Sequence, residues 1–172
     1  MSAKTQPLTD IGKFYKQIGD FKEKLATILS QFNKDQEVID LNKYYDKLMD
    51  FKKINVRAPI ELFYQYGVTE FVDDILKRDE TIFLGHVSTI TEGQEIILPK
   101  EAIQCCPTKE VISHRDILFI SHIRQIWDCL QPNVKNNIWM YVQVISILAE
   151  KIVGGNVLAS RREYLKREGM IE

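Results

Sequence analysis

The chain has 172 residues, 45% hydrophobic and 27% charged, with a net charge of −1. That length supports one domain with a sizeable core, and the near-neutral balance excludes a global pull toward nucleic acid or an anionic membrane. The charge is uneven: residues 1–57 hold 11 Lys/Arg against 8 Asp/Glu, residues 58–150 hold 7 against 13, and residues 151–172 hold 5 against 3.

The opening "MSAKTQPLTD" is polar, without the apolar core of a secretory signal, and Ser2 stands where myristoylation needs glycine. Three cysteines, Cys105, Cys106 and Cys129, are an odd set that suits a reducing compartment rather than secretion.

Ile11, Phe14, Tyr15, Ile18, Phe21, Leu25, Ile28, Leu29 and Phe32 recur at three- and four-residue steps, which predicts an amphipathic helix capped by Thr9 or Asp10. Gly19 weakens its middle by roughly 1 kcal/mol relative to Ala. After the break "NKDQ", Val38, Leu41, Tyr44, Tyr45, Leu48 and Phe51 predict a second helix. The pair reads as an N-terminal helical hairpin over residues 1–55. Residues 56–155 read as the core helical domain and 156–172 as a helical tail.

In "VRAPIELFYQYG", Pro59 suits a first helical turn and Gly67 a C-cap. Thr69 then reads as the N-cap of a helix burying Phe71, Val72, Ile75 and Leu76, with acids early and Lys77-Arg78 late, as the helix dipole favours. "HVSTITEGQEIILP" is the one strand-like stretch, a small β-hairpin at about residues 86–98 turning at Glu92-Gly93. Ile117, Leu118, Ile120, Ile123, Trp127 and Leu130 resume helical spacing until Pro132. "NVLASRREYLKREG" makes a last short helix. The fold class is therefore mostly α, a helical bundle.

The run from Ile138 to Ala149 holds only two polar side chains, Gln143 and Ser146. A membrane span needs about 20 apolar residues, and Glu150-Lys151 interrupts this run well short of that. On a helical wheel, Ile138, Tyr141, Val142, Ile145, Leu148, Ala149 and Ile152 share a core stripe, with Trp127 joining the core from the preceding segment. Met140, Val144 and Ile147 fall on the opposite side. Gln143, Ser146 and Glu150 form a narrow polar strip with Trp139 at its edge. Packing of both apolar faces by other helices is the first expectation; a free Met140–Val144–Ile147 face serving a partner is the second.

Chemistry is sparse. Cys105-Cys106, His114 and His122 form a weak zinc pattern: adjacent cysteines strain a shared tetrahedron, and eight helical residues separate the histidines by roughly 12 Å. Cys129 is expected to pack as a small apolar side chain. Asp73, Asp74, Asp79 and Glu80 are dense, but adjacent carboxylates on a helix diverge, so they read as an acidic face open to a partner. Phosphate-loop, dinucleotide, metalloprotease and nucleophile-elbow motifs do not occur. No catalytic, cofactor-binding or metal residue is assigned, and the chain reads as non-enzymatic.

Two stretches, "APIELFYQYGVTEFVDDILKRDETIFL" and "IRQIWDCLQPNVKNNIWMYVQVISILA", carry an "R-D-E-x-x-F" end followed by a Trp and a "K-x-x-I-W-x-Y" helix start. The arrangement resembles small uncharacterised proteins of giant viruses (nucleocytoplasmic large DNA viruses). It covers roughly residues 57–150 through Arg78, Asp79, Glu80, Phe83, Trp127, Lys135, Ile138, Trp139 and Tyr141, with Val142 where the group has leucine. The resemblance implies a viral protein, located in the virion or the infected-cell cytoplasm: a virion-associated or minor capsid component whose partners are other proteins, viral structural proteins or further copies of itself. It brings no activity and does not reach the first 55 residues. A nucleic-acid-associated factor using the basic ends is the alternative, disfavoured because acids interrupt "RREYLKRE".

Overall fold

A computed structural model describes residues 8–81 and 120–172. Among these residues every regular element is helical. The β-hairpin expected at residues 86–98, together with Phe83, Cys105, Cys106 and His114, lies outside them.

Helix α1, Asp10–Gln31, starts where Thr9 Oγ1 accepts the Gly12 N–H at 3.1 Å. It buries Phe14, Tyr15, Ile18, Phe21, Leu25, Ile28 and Leu29. A short turn with Asn33 at φ 56° leads to α2, Asp35–Ile54. The two helices run antiparallel. Lys22 donates to Asn42 at 3.1 Å, the Tyr45 hydroxyl faces Gly19, and the Tyr15 hydroxyl donates to the Val56 carbonyl at 2.7 Å. A Cβ on Gly19 would come within 3.1 Å of that Tyr45 oxygen, so the glycine admits a close approach at some cost in helix propensity.

Helix α3, Ala58–Phe63, has Pro59 in its first turn, where the missing N–H costs nothing. It runs on into a π turn, Tyr64–Val68, marked by Thr69 N–H donating to the Tyr64 carbonyl at 3.0 Å. This corrects two expectations. Gly67 is not a C-cap: it is buried inside the π turn and its φ is not positive. Thr69 is not an N-cap: its hydroxyl donates backward to the Gln65 carbonyl. The widened turn carries the helix past both signals. Helix α4, Val72–Lys77, follows and buries Ile75 and Leu76.

The described chain resumes with α5, Ile120–Ile123, and a 3-10 turn, Arg124–Cys129. Ile126, Trp127 and Leu130 fill the core from that turn, and Cys129 is exposed, contrary to its expected burial. The core positions are already taken by its neighbours, and the backbone leaves the turn at Leu130 toward Pro132. Helix α6, Pro132–Val153, ends at Gly154 in the left-handed region, φ 79°. Helix α7, Val157–Arg167, completes the fold.

Helix α6 lies antiparallel to α1, with Phe21 stacked on Tyr141 at 5.2 Å and Lys151 paired to Asp10 at 2.9 Å. It also touches α3, the π turn, α4 and α7. One apolar cluster runs from Phe14 through Ile60, Trp127 and Ile145 to Leu165, so all three segments of the chain share a core. No helix of the described residues is long and apolar enough to cross a membrane.

The two glycines after α6 have different jobs. Gly154 supplies the positive φ of the cap, and a Cβ there would meet open space. A Cβ on Gly155 would come within 2.1 Å of the Tyr64 hydroxyl. Gly154→Ala is therefore expected to cost about 1 kcal/mol, from backbone strain alone. Gly155→Ala should cost more, about 1–3 kcal/mol, because Tyr64 must move. Thermal denaturation of the two variants checks the order; equal losses would sink this account.

Candidate functional site

The buried face of α6 is rotated from the sequence reading. Ile138, Trp139, Val142, Ile145, Ser146, Ala149 and Glu150 are buried. Tyr141 and Leu148 are partly buried against the core. Ser146 and Glu150, expected on a polar strip, are thus internal, and Trp139 is fully part of the core rather than at an edge. Each polar group has a partner that permits burial. Ser146 Oγ donates to the Val142 carbonyl at 2.7 Å.

Glu150 holds the junction of three elements. Its Oε1 accepts the Leu158 N–H at 2.7 Å and the Tyr64 hydroxyl at 3.1 Å, and its Oε2 accepts the Ala159 N–H at 3.0 Å. Leu158 and Ala159 are in the first turn of α7, where backbone donors lack intrahelical acceptors. Asn156, the local N-cap, makes no side-chain capping bond. The preceding helix supplies the cap instead, with its acidic group at the positive end of the α7 dipole. Burial, with the neighbouring Glu150 carboxyl, holds the Tyr64 hydroxyl above the usual phenol range, so it remains a donor.

Several of the aromatic and charged positions around Trp127 and Trp139 also meet. Trp127 and Trp139 pack edge to face, centroids 6.4 Å apart. Lys135 lies 5.2 Å over the Trp127 ring and reaches Glu80 at 3.2 Å. Arg78 turns toward α6, donating to Asn136 Oδ1 and, at 3.1 Å, to Gln143 Oε1.

The four candidate carboxylates do not converge. Asp73 takes a two-point bond from Arg161 of α7, at 2.6 and 2.8 Å, which with nearby Lys77 holds its carboxyl below the usual range. Asp79 accepts the Thr81 N–H at 2.9 Å. Glu80 pairs with Lys135. Asp74 differs: burial first, then the negative charge of Asp79, raises its pKa. Asp73, Asp79 and Glu80 each serve a local contact, and no shared binding geometry results among the described residues. His122 faces Glu37 at 3.3 Å, and no group of three metal-ligating side chains gathers among the described residues.

The opposite face of α6 is open. Met140 is 51% exposed, Val144 40% and Ile147 41%. With Asn137 and Lys151, also exposed, they form a ridge at alternating steps of three and four residues. This is the spacing that meets another helix along one seam. Comparison with protein-family models, curated proteins and solved structures finds no match.

Glu150 was legible in the sequence only as the end of an apolar run and a member of a narrow polar strip. Its partner Tyr64 lies 86 residues away, and no local pattern joins them. Glu150→Ala should destabilise the protein by about 1–3 kcal/mol, the cost of leaving buried donors unpaired. Amide hydrogen exchange at Leu158 and Ala159 should speed up before the rest of the core does. Unchanged protection at those two amides would overturn the capping role.

Asp74 makes a prediction of opposite sign. Its folded pKa lies above its unfolded 3.8, so ionisation disfavours the fold. Asp74→Asn should raise the melting temperature at neutral pH. That gain should shrink as pH falls through the raised folded value and vanish below 3.8. A melting-temperature difference independent of pH would count against it.

Proposed function

We propose that this chain is a non-enzymatic protein-interaction component that docks through the outer face of α6. In this reading it is a virion-associated or minor capsid protein built as a helical bundle with an N-terminal hairpin. The supporting observation is the exposed ridge Met140–Val144–Ile147, on a helix whose other sides are already packed. An apolar residue on the surface is unremarkable singly; three at seam spacing on one helix are not scattered. The viral assignment rests on the resemblance of residues 57–150.

The nucleic-acid alternative draws on the basic end. Arg161 and Arg167 sit over Tyr164 at 4.8 and 5.7 Å, but Arg161 is also committed to Asp73. Docking through α6 is therefore preferred.

A photo-crosslinking side chain placed at Val144 tests the reading in infected cells, with Lys43 on α2 as an exposed control. Discrete protein adducts are expected at position 144 and not at 43. Adducts at neither position would end the docking proposal. For the viral role, mass spectrometry of purified particles should find the protein at stoichiometric abundance; its absence would remove a capsid function.

A further inference from the structure

The ridge carries information about what it binds. The exposed residues of α6 include amides, apolar groups and Lys151 but no carboxylate; its one acid, Glu150, is buried. Lys135 and Lys151 are neutralised by Glu80 and Asp10. Arg78 is not. Its guanidinium is held by two neutral amides, Asn136 and Gln143, and makes no ion pair among the described residues. Asn136 Nδ2 lies 3.9 Å from the Met140 sulfur, so this cation sits at the margin of the apolar ridge.

The backbone of Arg78 is also unusual. It ends α4 in the left-handed region, φ 54° and ψ 47°, a position that glycine or asparagine ordinarily fills. A long side chain there is a poor choice for stability alone. The position places an exposed guanidinium on Asn136 and Gln143, which flank Met140 along α6.

We propose that the α6 ridge receives an acidic amphipathic helix of another protein, with Arg78 pairing to a carboxylate at the edge of its apolar seam. This rests on the docking reading above and adds the partner's chemistry. The 3-4 spacing calls for a helix, since apolar side chains at matching steps then meet Met140, Val144 and Ile147 in register. A cation with no ion pair among the described residues calls for acid, because guanidinium binds carboxylate by two parallel charge-assisted bonds. A second copy of this chain fits less well: its own α6 face would bring no carboxylate to Arg78.

Three synthetic helical peptides test this against the full-length protein. They share one leucine seam at 3-4 spacing and differ only in flanking Glu, Gln or Lys. Fluorescence anisotropy measures affinity, and backbone amide shifts report on Met140, Val144 and Ile147. The Glu peptide should bind about tenfold or more tightly than the Lys peptide, the scale of one charged hydrogen-bonding pair. Arg78→Gly should lose about tenfold for the Glu peptide and little for the Gln peptide. Its melting temperature should hold or rise, since glycine accepts the left-handed backbone. Equal binding of Glu and Lys peptides at the ridge, or no effect of R78G, overturns the acidic partner while leaving α6 as a docking face. No ridge shift with any peptide overturns both. Self-association abolished by Val144→Glu would assign the face to a second copy instead.

Discussion

Helix α6 is the element against which everything else is placed. It touches α1 along its length, α3 and the π turn near its end, and α4 and α7 at its sides. Those neighbours come from both ends of the chain and order correctly only if one face of α6 is buried in one rotational setting. Residues such as Ile138, Val142, Ile145 and Ala149 set that face by the area they remove from water, worth about 25 cal/mol per Å². Ser146 and Glu150 occupy the same face, so apolar burial alone does not select the setting.

Glu150 refines it. A buried acid is costly unless its oxygens are used, and here two backbone N–H groups and a tyrosine hydroxyl use them. The same contacts hold α7 to α6 and the π turn to both. Gly155 follows from this arrangement, because only a residue without Cβ lets the Tyr64 hydroxyl approach. The Asp73–Arg161 pair adds a second tie from α4 to α7, part-exposed and therefore weakened by solvent screening. With these contacts made, the remaining face of α6 is the side left to solvent, and the outward ridge is a consequence of how the inward face is satisfied.

Element ends governed by local chemistry were readable in advance. Thr9 caps α1 and Pro59 opens α3, each through a backbone preference that acts within a few residues. Gly67 and Thr69 misled because a π turn overrode equally ordinary local signals. Cys129 misled because helical spacing was continued through what is a 3-10 turn. Of the candidate residues, Asp73, Asp79 and Glu80 make separate local contacts, while Met140, Val144 and Ile147 stand exposed on one face of α6.

By itself the sequence determined a helical chain with defined starts and stops, and a helix with apolar side chains on two faces, of which the structure buries one. Capping, proline and glycine effects and hydrophobic periodicity are properties of short segments, so they survive without knowledge of the fold. Only the tertiary structure decided which polar groups of α6 go inside, that Arg78 adopts a left-handed cap with its side chain on Asn136 and Gln143, and which apolar ridge is left to solvent. Those outcomes depend on contacts such as Tyr64 with Glu150 and Arg78 with Gln143, across 86 and 65 residues. The cost of burying a polar group is set by its partner, and a partner that far along the chain leaves no local trace.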